Sequence, residues 1–131
     1  MTTIVVGWTP NEYGEAALAR GIEEARLRQG RVVVVNATRG DALVDERYAD
    51  DDQLERLATE MAGAGVEVDV RRSMGSDVGA QVLSVADDVS ADLVVIGLRR
   101  RTPVGKLLMG SVAQRILLGA ECAVLAVKPP G

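Results

Sequence analysis

The sequence predicts a three-layer α/β/α domain built around an open, parallel, five-stranded sheet, and three observations lead to this prediction. Five short apolar runs alternate with four segments of helical periodicity, which is the order typical of a parallel sheet covered by helices. Only 2 % of the residues are aromatic, so the core must be aliphatic, as suits strands buried on both faces. A chain of 131 residues has the length of one domain, which we place at 1–131.

The predicted strands are the apolar runs of the chain. They are Thr3–Gly7, Arg31–Ala37, Val66–Arg71, Asp92–Gly97 and Ala123–Lys128. The second and fourth are continuous Val-rich runs, which favour strands buried on both faces. The third alternates valine with charged residues, so we expect it at an edge of the sheet with one solvated side.

The predicted helices are delimited by capping residues and glycines. The pattern Thr9–Glu12 is a capping box with proline at the first helical position, and Gly30 ends this helix. The acidic run Asp50–Asp52 precedes the second helix, where it favours the helix dipole more than a metal site. Ser111 and Gln114 form a second capping-box pattern at the start of the fourth helix.

The charge distribution points to a small anionic ligand or to a solvated loop. The net charge is −4, which argues against general nucleic-acid binding. The segment from Asp92 onward is nevertheless basic, with three consecutive arginines, Arg99–Arg101. A local basic cluster on an acidic protein is typical of an anion site, although the charge count alone favours an exposed surface loop.

Several classes of chemistry are disfavoured by what the sequence lacks. Cys122 is the only cysteine and there is no histidine, so an intrachain disulfide and a Cys/His metal site are excluded. We expect Cys122 to be a buried small hydrophobe. No nucleophile–base pair can be recognised, so we expect no catalytic residues. The chain opens directly into a strand and has no apolar stretch of ~18–20 residues, which predicts a cytoplasmic protein without a membrane segment.

A ligand site is expected where the strand order reverses. Ligands of open parallel sheets bind beyond the carboxyl ends of the strands, here Gly7–Thr9 and Gly97–Arg101. Gly110 and Ser111 open the last predicted helix, whose free backbone N–H groups would attract an anion. Ser111 could cap this helix, donate its hydroxyl to a phosphate, or do both.

These residues resemble the universal stress protein family. The family carries a glycine, two residues, a glycine, nine residues, then glycine with serine or threonine. This sequence has Gly97, Arg100, Gly110 and Ser111 at that spacing, and the likeness extends over nearly the whole chain. The resemblance implies a Rossmann-like sheet of order 3-2-1-4-5, a homodimer, and in one branch of the family a cleft for ATP or a related adenine nucleotide, with Mg²⁺ as an accompanying ion.

The resemblance also implies binding residues. Phosphates would contact the glycine loop and the helix start, and the first loop and second strand would line the other end of the cleft. The implied residues are Gly7, Trp8, Thr9, Asn36, Gly97, Arg99, Arg100, Gly110, Ser111 and Val112.

Two departures keep other functions open. Arg100 replaces the middle glycine, and Thr9 stands where many ATP-binding members have an acidic residue. They favour the alternative of a family member that binds no nucleotide and acts as a protein-interaction module. A slow ATP hydrolase is a third, weaker option, because no water-positioning base is evident. The arginines could instead compensate by contacting phosphate oxygens.

The last strand is the predicted dimer element. Its apolar residues would leave an unpaired sheet edge in a monomer, and pairing with a second copy would cover it. These residues are Val124, Leu125, Ala126 and Val127.

Overall fold

The computed structural model describes residues 1–40, 47–98 and 110–130. Its five strands form one all-parallel sheet of order β3-β2-β1-β4-β5, with four helices between them. The elements are β1 Thr3–Gly7, α1 Glu12–Arg28, β2 Arg31–Thr38, α2 Asp51–Ala62, β3 Val68–Met74, α3 Val78–Asp88, β4 Leu93–Gly97, α4 Ser111–Gly119 and β5 Ala123–Val127. The predicted fold class and strand order are thus confirmed.

The sheet divides the core into two layers because successive strand residues point to opposite faces. On one face, Ile4 and Val6 pack with α1 and with Leu57 of α2. On the other face, Val5 packs with Ile116 of α4 and with residues of α3. The Val-rich runs of β2 and β4 are buried on both faces, as predicted. The central strands therefore end at a rigid edge that can position side chains.

β3 lies at one edge of the sheet, as the alternating pattern predicts, but its bounds differ from the prediction. It begins at Val68 rather than Val66 and continues to Met74, beyond the last alternating valine. The extra residues pair with the end of β2, up to Thr38 opposite Met74. Backbone pairing with a buried neighbour extends the strand where the side-chain pattern alone indicates an end.

The first helix starts later than the capping pattern predicts. Asn11, not Thr9, is the N-cap, and its side-chain oxygen accepts hydrogen bonds from the N–H groups of Tyr13 and Gly14. The Thr9 hydroxyl donates to that same oxygen of Asn11 at 2.7 Å. A cap that satisfies two helical N–H groups outcompetes the alternative start two residues earlier.

The second helix has the capping box that the fourth lacks. The Asp50 side chain accepts from the Gln53 N–H at 2.8 Å, and the Gln53 side chain accepts from the Asp50 N–H at 2.9 Å. This arrangement agrees with the interpretation of Asp50–Asp52 as a helix-start feature. In α4 the N-cap is Gly110, so the predicted cap Ser111 is the first helical residue instead.

Cys122 is half-buried rather than fully buried, which corrects its expected placement. Burial raises the pKa of its thiol, and the carboxylates of Asp92 and Asp87 add to the shift. Such a thiol is a weak nucleophile near neutral pH because little of it is thiolate. Within the described ranges, no helix combines the length and apolar character needed to span a bilayer.

Candidate functional site

A cleft of about 410 Å³ opens at the carboxyl edge of the sheet. It lies beyond the ends of β1 and β4, where Gly7 and Gly97 line it, and reaches the start of α4 at Gly110 and Val112. The strand order reverses between β1 and β4, because the chain runs outward from β1 in both directions. The cleft is therefore at the topological switch point, where parallel α/β sheets bind their ligands.

The described lining on the helix side is apolar. It consists of Val35, Val78, Val82, Ile96 and Ile116. These residues belong to the core layer between the sheet and helices α3 and α4, so packing holds them in place. A preformed apolar surface of this kind suits the flat, weakly polar part of a small ligand.

Gly7 and Gly97 both line the cleft, but they differ in what surrounds them. A Cβ on Gly97 would lie 2.8 Å from the carbonyl carbon of Tyr13 and closer still to its oxygen. A Cβ on Gly7 would make ordinary contacts, the nearest at 3.5 Å to Ile96. The close approach of α1 therefore requires glycine at position 97 whether or not a ligand binds there.

The start of α4 borders the cleft, where Gly110 and Val112 are among the lining residues. Gly110 has no side chain with which to cap the helix, and a Cβ built on it would meet no atom of the described residues within 4 Å. The first N–H groups of a helix have no acceptor within the helix, so this end attracts anions. Val112 lines the cleft, whereas Ser111 is exposed and is not among the residues described as lining it.

Thr9 lies at the mouth of the cleft together with Asn11. The Thr9 hydroxyl donates its hydrogen bond to the side-chain oxygen of Asn11. Thr9 can therefore offer a ligand only its oxygen lone pairs, as an acceptor. Trp8 also borders the cleft, but it packs in the core layer of the opposite face of the sheet. Its indole N–H donates to Glu15 at 3.3 Å, which ties the ring to α1.

Asn36 is not among the described lining residues of the cleft, although its neighbours in the chain, Val35 and Ala37, are. It is fully buried, and its amide nitrogen donates to the carbonyl oxygens of Trp8 at 3.1 Å and Arg47 at 2.7 Å. Its side-chain oxygen accepts from the N–H of Ala49 at 3.2 Å. With its donors and acceptor engaged, Asn36 joins the end of β1 to the segment before α2.

Arg47 is a lining residue that the sequence analysis missed. It lies in the polar connection after β2, where no periodicity or motif distinguishes one arginine from another. Only a tertiary contact indicates its position, since the hydrogen bond from Asn36 holds the main chain of Arg47 at the cleft. The predicted contacts Arg99 and Arg100 fall outside the part of the chain that the structure describes.

The described lining fits an anion better than a cation. Arg47 is its charged residue, and it includes no aspartate or glutamate. No cluster of three or more Cys, Asp or Glu side chains with metal-binding geometry occurs among residues 1–40, 47–98 and 110–130. Mg²⁺ prefers carboxylate oxygens, so these residues do not fit a protein-held magnesium ion.

Comparison with known proteins identifies relatives over the full length of the chain. The model of the universal stress protein family matches residues 1–128. A universal stress protein from Mycolicibacterium smegmatis is 46% identical over 128 residues, which cover 98% of this chain and 98% of that protein.

Solved structures share the fold. A universal stress protein from Archaeoglobus fulgidus has a TM-score of 0.77 and 29% identity, with 98% of each chain covered. A structure of the universal stress protein from Archaeoglobus fulgidus in complex with dAMP has a TM-score of 0.70 and 26% identity, again with 98% of each chain covered.

Proposed function

Because the chain belongs to the universal stress protein family, we propose that its cleft binds an adenine nucleotide, ATP or a related one, with the phosphate at the start of α4. The observation that carries the proposal is the position of Gly110, which borders the cleft and has no described residue within 4 Å of an added Cβ at the helix N-terminus. The structural likeness to a protein in complex with dAMP supports adenine as the base.

The physical case rests on complementarity between the two parts of a nucleotide and the two parts of the cleft. The helix N-terminus, with its partial positive charge, suits the phosphate. The apolar surface formed by residues such as Val35 and Ile96 suits the base. A volume of about 410 Å³ is within the range of small-ligand pockets.

In this proposal the described cleft residues supply no ligand to a magnesium ion. Since the described lining offers no carboxylate, any Mg²⁺ would be held by the phosphates of the ligand. We therefore expect a nucleoside monophosphate to bind equally well with Mg²⁺ and with a chelator. This expectation separates the cleft from nucleotide sites that use a protein carboxylate to hold the metal.

Isothermal calorimetry with AMP, dAMP, cyclic AMP, ADP and ATP tests the proposal. Gly110→Val should abolish binding, because the branched side chain would occupy the space in front of the α4 N–H groups. The backbone of Gly110 has φ −66° and ψ 158°, which valine adopts without strain. Loss of binding would therefore report blocked access rather than a lost fold.

Gly63→Val is the matched control. Gly63 ends α2, lies outside the described lining of the cleft, and has only the Glu60 carbonyl oxygen near its Cβ position, at 3.8 Å. This variant should bind as the wild type does. Absence of heat with all five nucleotides would refute the proposal and favour the alternative, a protein-interaction module without a nucleotide.

We further propose that the protein acts as a cytoplasmic homodimer in the stress response, binding its ligand without turning it over. β5 is the last strand of the sheet, and among the described residues it pairs with β4 alone. Four of its five residues are half-buried and apolar, from Val124 to Val127. An apolar unpaired edge is stabilised by pairing with a second copy across a two-fold axis.

Light scattering of the wild type and of Leu125→Lys tests the dimer. The wild type should have the mass of two chains, and the lysine variant that of one. Leu118→Lys is the control, because Leu118 is 82% exposed on α4 and undergoes the same chemical change. A wild-type monomer at micromolar concentration would refute the dimer while leaving nucleotide binding unaffected.

A further inference from the structure

Arg47 reaches the cleft through a buried network that none of the sequence motifs includes. Asn36 holds the Arg47 carbonyl oxygen and the Ala49 N–H with the same side-chain amide. The amide also holds the Trp8 carbonyl oxygen, at the end of β1. A fully buried amide with three such bonds links two walls of the cleft, because Trp8 and Arg47 both line it.

Arg72 of β3 holds the same segment from the outer side. Its guanidinium donates to the Ala49 carbonyl oxygen and, at 3.4 Å, to the Tyr48 hydroxyl. It lies 5.0 Å from the centre of the Tyr48 ring and forms an ion pair with Asp51 at 3.2 Å. Arg72 is not among the described cleft residues, so it contacts this segment without lining the cleft itself.

The network places Arg47 at the end of the cleft opposite the helix start. Its main chain is bonded to β2, whereas α4 follows β4 and leads into β5. β1 separates β2 from β4, so the two ends are about two strand spacings apart, roughly 10 Å. A nucleotide with its phosphate at α4 would therefore extend its nucleoside towards Arg47.

A guanidinium is well suited to the nucleoside end of such a ligand. It is planar, carries only donors, and both stacks on aromatic faces and donates to ring nitrogens or ribose oxygens. Hydrogen bonds to Arg47, Tyr48 and Ala49 hold this segment at several points, which reduces the entropy that ligand binding would otherwise cost. The segment is thus preorganised for contact with a ligand.

We infer that Arg47 contacts the base of the bound nucleotide and that Arg72 is a positioning residue that acts through it. This inference rests on the proposed function. It assigns to this chain a specificity residue outside the glycine motif, supplied by the connection between β2 and α2.

The test measures affinity for AMP and for ribose 5-phosphate, which lacks the base, in Arg47→Met and Arg72→Met. Arg47→Met should weaken AMP binding at least about tenfold, because a charged hydrogen bond is lost. AMP should lose its advantage over ribose 5-phosphate by a similar factor. Arg56→Met, on the exposed side of α2 and outside the described lining, should bind both ligands as the wild type does.

The double variant separates positioning from a general structural effect. If Arg72 acts through Arg47, Arg72→Met should weaken AMP binding in the wild type but not in the Arg47→Met background. If circular dichroism shows that Arg72→Met does not fold, Arg72→Lys and Tyr48→Phe take its place. Each of these variants removes only part of the contact between Arg72 and the segment that contains Tyr48.

The outcomes distinguish this inference from the proposed function. A wild type that binds no nucleotide would refute both. Wild-type binding of AMP with unchanged affinity in Arg47→Met would refute the inference alone. Equal loss of AMP and ribose 5-phosphate in Arg47→Met would also refute it, because the contact would then be with the sugar or the phosphate. Additive effects in the double variant would refute the positioning role of Arg72.

Discussion

The two glycines that flank the connection between β4 and α4 have opposite surroundings. Gly97 ends β4 against the backbone of α1, where an added Cβ would lie 2.9 Å from the Cβ of Tyr13 and nearer to its carbonyl group. Gly110 precedes α4, and within the described parts of the chain an added Cβ there would meet nothing within 4 Å. Both glycines belong to one sequence motif and both line the cleft.

The difference shows that one motif can combine two physical requirements. At Gly97 the missing side chain lets a helix pack against a strand, so glycine serves the fold. At Gly110 the backbone has an ordinary conformation and no described neighbour within 4 Å of an added Cβ, so the described packing does not require glycine there. What the absence of a side chain preserves at Gly110 is access to the N–H groups of α4.

The largest expected effect is the loss of stability in Gly97→Ala. Its new methyl group would overlap backbone atoms of Tyr13, which cannot move without shifting α1. We expect a decrease of about 1–3 kcal/mol or more in the free energy of unfolding, measured by urea denaturation. Gly7→Ala is the matched control, because its methyl group would make contacts no closer than 3.5 Å. Equal stability of the two variants would contradict the comparison.

A smaller effect is expected for Gly110→Ala. Alanine reduces the entropy of the unfolded chain at a compatible position, which favours folding, but it is a poorer N-cap than glycine. The two contributions oppose each other, so the free energy of unfolding should change by no more than about 0.5 kcal/mol. A loss as large as that of Gly97→Ala would show that both glycines serve the fold.

The smallest effect on stability is expected for Ser111→Ala. Ser111 is exposed and is the first helical residue of α4, so its hydroxyl is not needed as the N-cap. The unfolding midpoint in urea should therefore stay within the error of the measurement. A decrease of about 1 kcal/mol, typical of a lost cap, would restore the capping role that the sequence pattern indicates.

The fold could be predicted from the sequence because its signals are local and repeated. Five strands and four helices follow from the continuous valine runs, from the segments of helical periodicity and from the glycines that end the helices. The rules for connecting parallel strands then restrict how these elements are arranged. The boundaries that differ are decided by contacts. β3 extends to Met74 because it pairs with β2, and α1 begins after Asn11 because that side chain accepts hydrogen bonds from two helical N–H groups.

The candidate site could be predicted only in part. The positions of Gly7, Gly97 and Gly110 follow from the ends of elements, and the structure places all three at one cleft. Asn36 has the right position along the chain, but its side chain is fully buried and holds the walls together. Arg47 carries no local signal, so only the packed structure places it at the cleft.

The amino-acid sequence by itself determined the order of the elements, the aliphatic core and the edge of the sheet at which a ligand would bind. The tertiary structure decided which glycine serves packing, which asparagine is structural and which arginine reaches the cleft. The physical reason is the distance along the chain over which each interaction acts. Periodicity and capping act over a few residues, whereas the contacts of Gly97, Asn36 and Arg47 join segments that are distant in the chain and meet only after folding.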